Sequence, residues 1–253
     1  MTPSAPAGGA PRVLVVIPTY NERDNIEILV EQVLACGPTY GVFVVDDQSP
    51  DGTGAIADLL AERHPGRVEV MHRTGKRGLG RSYVDALSVA VTRDVDIVCQ
   101  MDADFSHDPE YLPRLVEAIG SRDLDLVIGS RYLHGVSVVN WPLRRLILST
   151  FANRYVRGVT GLPARDCTSG YRCWRRSSLA SLPLRKFVSD GYAFLVEMLY
   201  EAMGAGCRIG EVPIIYVERR EGQSKMSRSV IFESVLMPWR VVLRNPAARR
   251  RRP

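Results

Sequence analysis

No apolar run in this 253-residue chain approaches the ~18 residues that a bilayer-crossing helix needs. That excludes an integral span, and the first residues lack the apolar region of a secretory signal. Cysteine is scarce: Cys36, Cys99, Cys167, Cys173 and Cys207 are odd in number and form no CxxC pair. This spacing argues against a disulfide framework or a zinc site, and for a reducing compartment. GxxxxGK[ST] is missing, which closes the P-loop route to a nucleotide. The glycines of "GKRGLGRSY" (75–83) lack GxGxxG spacing and do not follow the first strand, so a dinucleotide fold is poorly supported.

Acidic residues are absent from 240–253, "RVVLRNPAARRRRP", which carries six arginines. The net charge of +5 therefore leaves about −1 on the remainder (5 − 6). A basic tail on a near-neutral body fits an anionic neighbour, lipid headgroups or nucleic acid, and equally a solvated disordered tail. Apolar content of 45% with 24% charge places the chain among soluble globular proteins, and its length allows one large α/β domain or one domain with a short appendage. "MTPSAPAGGAP" reads as a disordered lead-in over 1–11.

The first half alternates strand and helix. "RVLVVIP" (12–18), "VFVVDD" (42–47), "VEVMHR" (68–73), "DIVCQMD" (96–102) and "DLVIGS" (125–130) are nearly continuous in apolar residues, as strands buried on both faces are. A helix between the first two sets Ile26, Leu29, Val30, Val33 and Leu34 on one face. Another after Gly80 aligns Tyr83, Leu87 and Ala90; a third after Pro109 turns Leu112, Leu115, Val116 and Ile119 inward. This alternation predicts a mostly parallel sheet covered on both sides. The second half is less regular: a helix at 142–157, a loop "RDCTSGYR" (165–172), a helix near 191–203, a strand pair around "CRIGEVPIIYVER", and a last helix from about 228.

Ligands of such sheets bind beyond the carboxyl ends of the strands. There the sequence places "PTYNE", "DDQSPDGT", "DADFSH" and "GSRY". Asp102 and Asp104, one residue apart, repel by roughly 3 kcal/mol at an effective dielectric of 20. In extended geometry both point the same way, so a hard divalent cation, Mg²⁺ or Mn²⁺, turns that repulsion into attraction. Asp46 and Asp51 have a simpler alternative as turn formers, and Tyr20 as a core aromatic. His72, His107 and His134 show no ligand spacing and are taken as structural or surface residues. Asp166 is open between orienting a substrate side and capping a turn.

"VVIPTYNERDNI", "VVDDQSPDGT", "MDADFSHDPE", "IGSRY", "NWPLRRLILS", "TSGYR" and "EVPIIYVERREGQSKMS" resemble, in order and spacing, the GT-A glycosyltransferases of family 2. Within them the match is to the dolichol-phosphate (polyprenol monophosphate) mannose synthases, over about 12–230. The resemblance implies a Rossmann-like three-layer GT-A domain over 12–230, followed by an amphipathic helix and basic tail over 231–253. It implies a donor pocket of Pro18, Tyr20, Glu22, Val45, Asp47, Asp102, Ala103 and Asp104, with Asp102 and Asp104 holding the metal. Arg219 and Lys225 would close on the diphosphate, with a solvated charged loop as the alternative. Arg131, Arg145 and Ser149 match positions facing an acceptor phosphate; Asp104 and Arg131 are the expected catalytic pair. Where relatives often carry Gln, this chain has Ser106, which puts a third side-chain metal contact in doubt.

The implied reaction is inverting transfer of mannose from GDP-mannose to polyprenyl phosphate; a UDP-glucose or other hexosyl transferase on the same fold is the alternative. An ionised phosphate needs positioning more than a base. Leu143, Leu146, Ile147, Phe151 and Tyr155 form one helical stripe among arginines, and Ile231, Val235, Trp239 and Val242 another, with Pro238 expected to kink the latter. Basic amphipathic helices lie in membrane interfaces, so the expectation is an enzyme peripheral to the cytoplasmic face of the membrane. No nucleic acid and no obligate protein partner is expected.

Overall fold

The computed structural model describes residues 9–75, 78–187, 189, 191–217, 228–246 and 248. Strands β1 (Val13–Thr19), β2 (Tyr40–Asp46), β3 (Val68–His72) and β4 (Ile97–Gln100) alternate with helices α1 (Ile26–Ala35), α2 (Thr53–Arg63) and α3 (Leu79–Ala90). Then come α4 (Leu112–Ser121), β5 (Leu126–Ser130), β6 (Val138–Val139), α5 (Leu143–Thr160) and β7 (Arg172–Arg175). The chain continues through α6 (Arg176–Ala180), α7 (Gly191–Gly204), β8 (Ile209–Pro213), β9 (Tyr216–Val217) and α8 (Arg228–Arg244).

The main sheet has seven strands in the order β3-β2-β1-β4-β7-β5-β8. All neighbours are parallel except β7, which runs antiparallel to both β4 and β5. Because β4 and β5 each oppose β7, they point the same way, and their carboxyl ends reach the same edge as those of β1 and β2.

Period-2 alternation splits each strand between two cores. Leu14, Val16, Phe43 and Val45 face Tyr83, Leu87, Phe194 and Leu199 of α3 and α7. Val13, Val15, Ile17, Val42 and Val44 face Ile26, Leu29, Val33, Leu112 and Leu115 of α1 and α4. All five expected residues of α1 are buried, as are the four of α4 and the three of α3. Each buried Val, Leu or Ile among them stabilises the fold by about 1.5–3 kcal/mol.

Three features differ from the expectations. Helix α2 directly follows "SPDG", whose turn chemistry masks it: Asp51 accepts from both the amide and the hydroxyl of Thr53. Few apolar residues of α2 are buried, Ala57 and Leu60 among them, so its period was faint. The expected strand pair after Cys207 is not a pair. β8 joins β5, whereas β9 leaves the main sheet to pair with β6 in a second, two-stranded sheet. The cysteine expectation is also corrected. Cys99 and Cys173 face each other in the β4–β7 register, fully buried, and form a disulfide across 74 residues of chain. Spacing rules see local CxxC pairs, not partners brought together by an inserted antiparallel strand.

Cys36, Cys167 and Cys207 are free. Thiol titration of the purified protein in denaturant without reductant is expected to count these three, and all five after reduction.

Candidate active site

The loops after β1 and β2 are laced together. The amides of Asn21, Glu22 and Arg23 donate to Ser49 Oγ, Thr53 Oγ1 and Asp51 Oδ2. Asp46 accepts from Thr19 Oγ1 at 3.1 Å and from the Ser49 amide at 3.1 Å. Asp46 and Asp51 are thus turn formers, the simpler of their two readings. Tyr20 is 41% exposed at the sheet edge, which rules out a core aromatic. Glu22 is half-buried and accepts from Asn25 Nδ2; Pro18, also half-buried, lies opposite Val45 in the strand register. The Val45 side chain is fully buried in the core beneath α3, so only its main chain can serve a ligand. Asp47 is buried as well. Its carboxylate takes Arg73 Nη1 at 2.6 Å, the Gly78 amide at 3.2 Å and Ser82 Oγ at 3.3 Å. Arg73 also reaches Asp85, so Asp47 sits beside a fixed counter-charge.

Beyond β4 the chain bends. Met101 and Ala103 are buried and Asp102 and Asp104 half-buried, so both carboxylates emerge on one side. Asp102 is held at two points: Tyr83 Oη donates to its Oδ1 at 3.2 Å, and its own amide donates to His107 Nδ1 at 3.0 Å. Accepting at Nδ1 places the His107 proton on Nε2. Burial keeps this imidazole neutral by pushing its pKa down, and pushes the Tyr83 phenol far up, so it remains a donor. Asp104 Oδ1 accepts the Ser106 amide at 3.0 Å, a tight turn that Phe105 completes with φ of 59°. Ser106 Oγ is buried with no hydrogen-bond partner among the described residues. Two carboxylates with an orphaned hydroxyl form an oxygen-only donor set. Among the described residues no three His, Cys, Asp or Glu cluster as a metal cage. Such a set fits a hard cation that keeps water and phosphate in its other positions.

Arg131, just past β5, is buried against a buried Asp166. Its Nε and Nη2 donate to the two carboxylate oxygens at 2.7 Å each, its amide adds a third bond at 3.0 Å, and Nη2 reaches Thr168 Oγ1 at 2.9 Å. Burial alone would raise the Asp166 pKa; the Arg131 charge and hydrogen bonds outweigh it and hold the carboxyl below its usual range. Asp166 is itself fixed from behind, since Glu211 accepts the amides of Arg165 and Asp166. It therefore orients a site arginine rather than merely capping a turn. Arg145 of α5 stacks on Trp141 at 4.3 Å, and Ser149 Oγ accepts from Tyr132 Oη at 2.7 Å.

Aromatic rings bridge the two halves. His107 stacks on Tyr171 at 4.8 Å and meets Tyr216 edge-on at 5.9 Å; Tyr216 meets Trp141 at 5.5 Å and lies 5.4 Å from the Arg131 guanidinium. Arg219 and Lys225 lie outside the described residues. Sequence reasoning missed Tyr83, Trp141 and Tyr216 as site residues and passed over His107. Each acts on a neighbour's orientation, for which no spacing rule exists.

A doubly covered, mostly parallel sheet with paired carboxylates and a clamped arginine beyond its carboxyl edge defines the GT-A class of glycosyltransferase. The chain belongs to glycosyl transferase family 2, whose profile matches residues 14–182. It is 47% identical over 224 residues (88% of this chain, 84% of the relative) to the polyprenol monophosphomannose synthase of Mycolicibacterium smegmatis. It is 45% identical over 225 residues (89% and 91%) to the undecaprenyl-phosphate mannosyltransferase of Micrococcus luteus. Among solved structures, glucosyl-3-phosphoglycerate synthase from Mycobacterium tuberculosis shares the fold with a TM-score of 0.67 at 20% identity, covering 90% of this chain and 80% of that one.

Asp166→Asn leaves the Arg131 guanidinium buried against a neutral amide and is expected to cost about 3–5 kcal/mol. The depressed Asp166 pKa contributes stability that is present above its unfolded value near 4 and is lost as pH falls through the folded value. Denaturant titrations should show a constant gap between wild type and variant above about pH 5, narrowing below pH 4.

Proposed function

We propose that the chain transfers mannose from GDP-mannose to a polyprenyl phosphate, inverting the anomeric carbon, at a membrane surface. The observation that carries this reading is an arrangement of charge. Paired carboxylates after β4 and Arg131 after β5 open on the same sheet edge, and Arg145 and Ser149, tied to that end through Trp141 and Tyr132, lie on α5, whose outer face is exposed and apolar. The names of the M. smegmatis and M. luteus relatives support the mannose and the polyprenyl phosphate. GDP as the nucleotide comes from the motif resemblance.

Tyr20 offers the base a stacking face, and Glu22 an acceptor. Asp102 and Asp104 would hold Mg²⁺ or Mn²⁺; the solved relative was crystallised with Mn²⁺ and UDP-glucose, and with Mg²⁺ and UDP. When bound, that ion supplies Lewis-acid neutralisation of the departing diphosphate. On the other side Arg131, Arg145 and Ser149 bind and aim the acceptor phosphate. Its second pKa lies near 6, so an ionised oxygen is present at neutral pH and no protein base is required. That oxygen forms the new bond to the anomeric carbon as the bond to the nucleoside diphosphate breaks, the electron pair leaving with the diphosphate.

The acceptor chain needs an apolar route. Leu143 is 69% exposed and Phe151 65%, with Ile147 between them on the same face of α5. Helix α8 packs beside α5, Tyr155 Oη donating to the Val235 carbonyl and Trp239 Nε1 to Tyr155 Oη. Val235, Trp239 and Leu243 stay exposed, while Met237 and Val241 pack on the protein core. No helix among the described residues is long and apolar enough to cross a membrane. This surface and the lipid acceptor support a peripheral seat, and the cytoplasmic face is part of the same proposal.

Three measurements test the reading. A donor screen on polyprenyl phosphate should show turnover with GDP-mannose well above UDP-glucose; the reverse preference overturns the donor assignment. EDTA should abolish transfer and Mg²⁺ or Mn²⁺ restore it, and Asp104→Ala should lower kcat by about 10³-fold or more while costing only about 1 kcal/mol of stability. Leu143→Ser with Phe151→Ser should lower partitioning onto anionic liposomes at least tenfold in a sedimentation assay, since each side chain withdraws roughly 1.5–3 kcal/mol of apolar burial.

A further inference from the structure

We infer that Tyr132 is a positioning residue for the acceptor phosphate, setting both Arg131 and Ser149 for an incoming phosphate monoester; this rests on the reaction proposed above. Arg131 has one edge already spent, with Nε and Nη2 bonded to Asp166 and Thr168. Its Nη1 has no partner among the described residues. The Tyr132 ring lies 5.4 Å from that guanidinium and supports the cation on a face that Asp166 does not reach.

The Tyr132 hydroxyl does a second job. It donates to Ser149 Oγ on α5 at 2.7 Å. A serine hydroxyl has one proton and two lone pairs. Filling a lone pair from Tyr132 leaves the serine proton free to donate to a phosphate oxygen. Without that bond, a helical serine turns its proton back to the carbonyl four residues earlier, here Arg145, and withdraws it from the ligand. Burial pushes the Tyr132 phenol up, so it remains protonated and a donor across the working pH range. The same bond ties α5 to the end of β5, so one side chain sets the distance between a cation on the sheet and a hydroxyl on the helix.

The test is Tyr132→Phe, which keeps the ring and removes only the hydroxyl. It is run beside Ser149→Ala and the double variant. The acceptor KM is expected to rise about 3–10-fold in Tyr132→Phe with the donor KM unchanged. The double variant should be no worse than Ser149→Ala, because both changes delete the same contact. A packing role for Tyr132 would lower the melting temperature and leave this split untouched. An unchanged acceptor KM in Tyr132→Phe, or full additivity in the double variant, overturns the inference. Calorimetric binding of farnesyl phosphate without donor separates this outcome from failure of the reaction itself. If wild type binds farnesyl phosphate more tightly than Tyr132→Phe but transfers no mannose, the proposed reaction falls and the positioning role stands. If wild type binds it no more tightly than Ser149→Ala, the positioning role falls.

Discussion

The central strands of the sheet are hydrogen-bonded on both sides and covered on both faces, and that constraint organises everything else. Polar side chains on β1, β2, β4 and β5 are confined to the last residues of each strand, where Thr19, Asp46 and Gln100 are buried with hydrogen-bond partners, or lie past its carboxyl end. Buried backbone groups are satisfied within the sheet, so the loops beyond it are free to carry charge. The reversed strand β7 does not break this arrangement. By running antiparallel between β4 and β5 it spaces Asp102 and Arg131 two strands apart while keeping them on one edge.

Placing that much charge against a dry core requires compensation, and the chain uses two kinds, carboxylate partners and backbone carbonyls. Arg73 is neutralised by Asp47 and Asp85, and Arg131 by Asp166. Arg172 is fully buried, and its described bonds go to carbonyls of Ser169, Leu195 and Cys167. Burial lowers its pKa to about 10, still well above neutrality, so it remains a cation. Those bonds pin the "TSGYR" loop to α7, and the same loop supplies Thr168 to Arg131. The rigid sheet and this pinned loop hold the aromatic bridge from His107 to Trp141, along which the two halves of the site keep their separation.

Helix α8 belongs to the body of the protein more than its sequence implies. Tyr200, Glu197 and Glu201 of α7 bond to Asn245 and Arg244, and Ala248 packs so closely on Gly204 that a Cβ there would lie 2.7 Å from it. One face is therefore spent on the core, and what remains exposed adjoins the stripe on α5. Two half-apolar helices side by side make a broader exposed apolar surface than either stripe alone.

The alternation of apolar strands with helices of 3.6 period was enough to read the first half of the fold, because parallel strands buried on both faces leave few other patterns. The motifs after each strand were legible for the same reason, since only those positions escape the core. Helix α2 was hidden by strong turn chemistry, and the separate partners of β8 and β9 by their short length. The Asp166–Arg131 pair, the cross-strand Cys99–Cys173 bond and the hold of Tyr83 and His107 on Asp102 join residues distant in sequence or act through a single backbone amide. Local pattern encodes which face of an element is wet or dry. Which two charges meet is settled by strand order and register, and these exist only once the chain has folded.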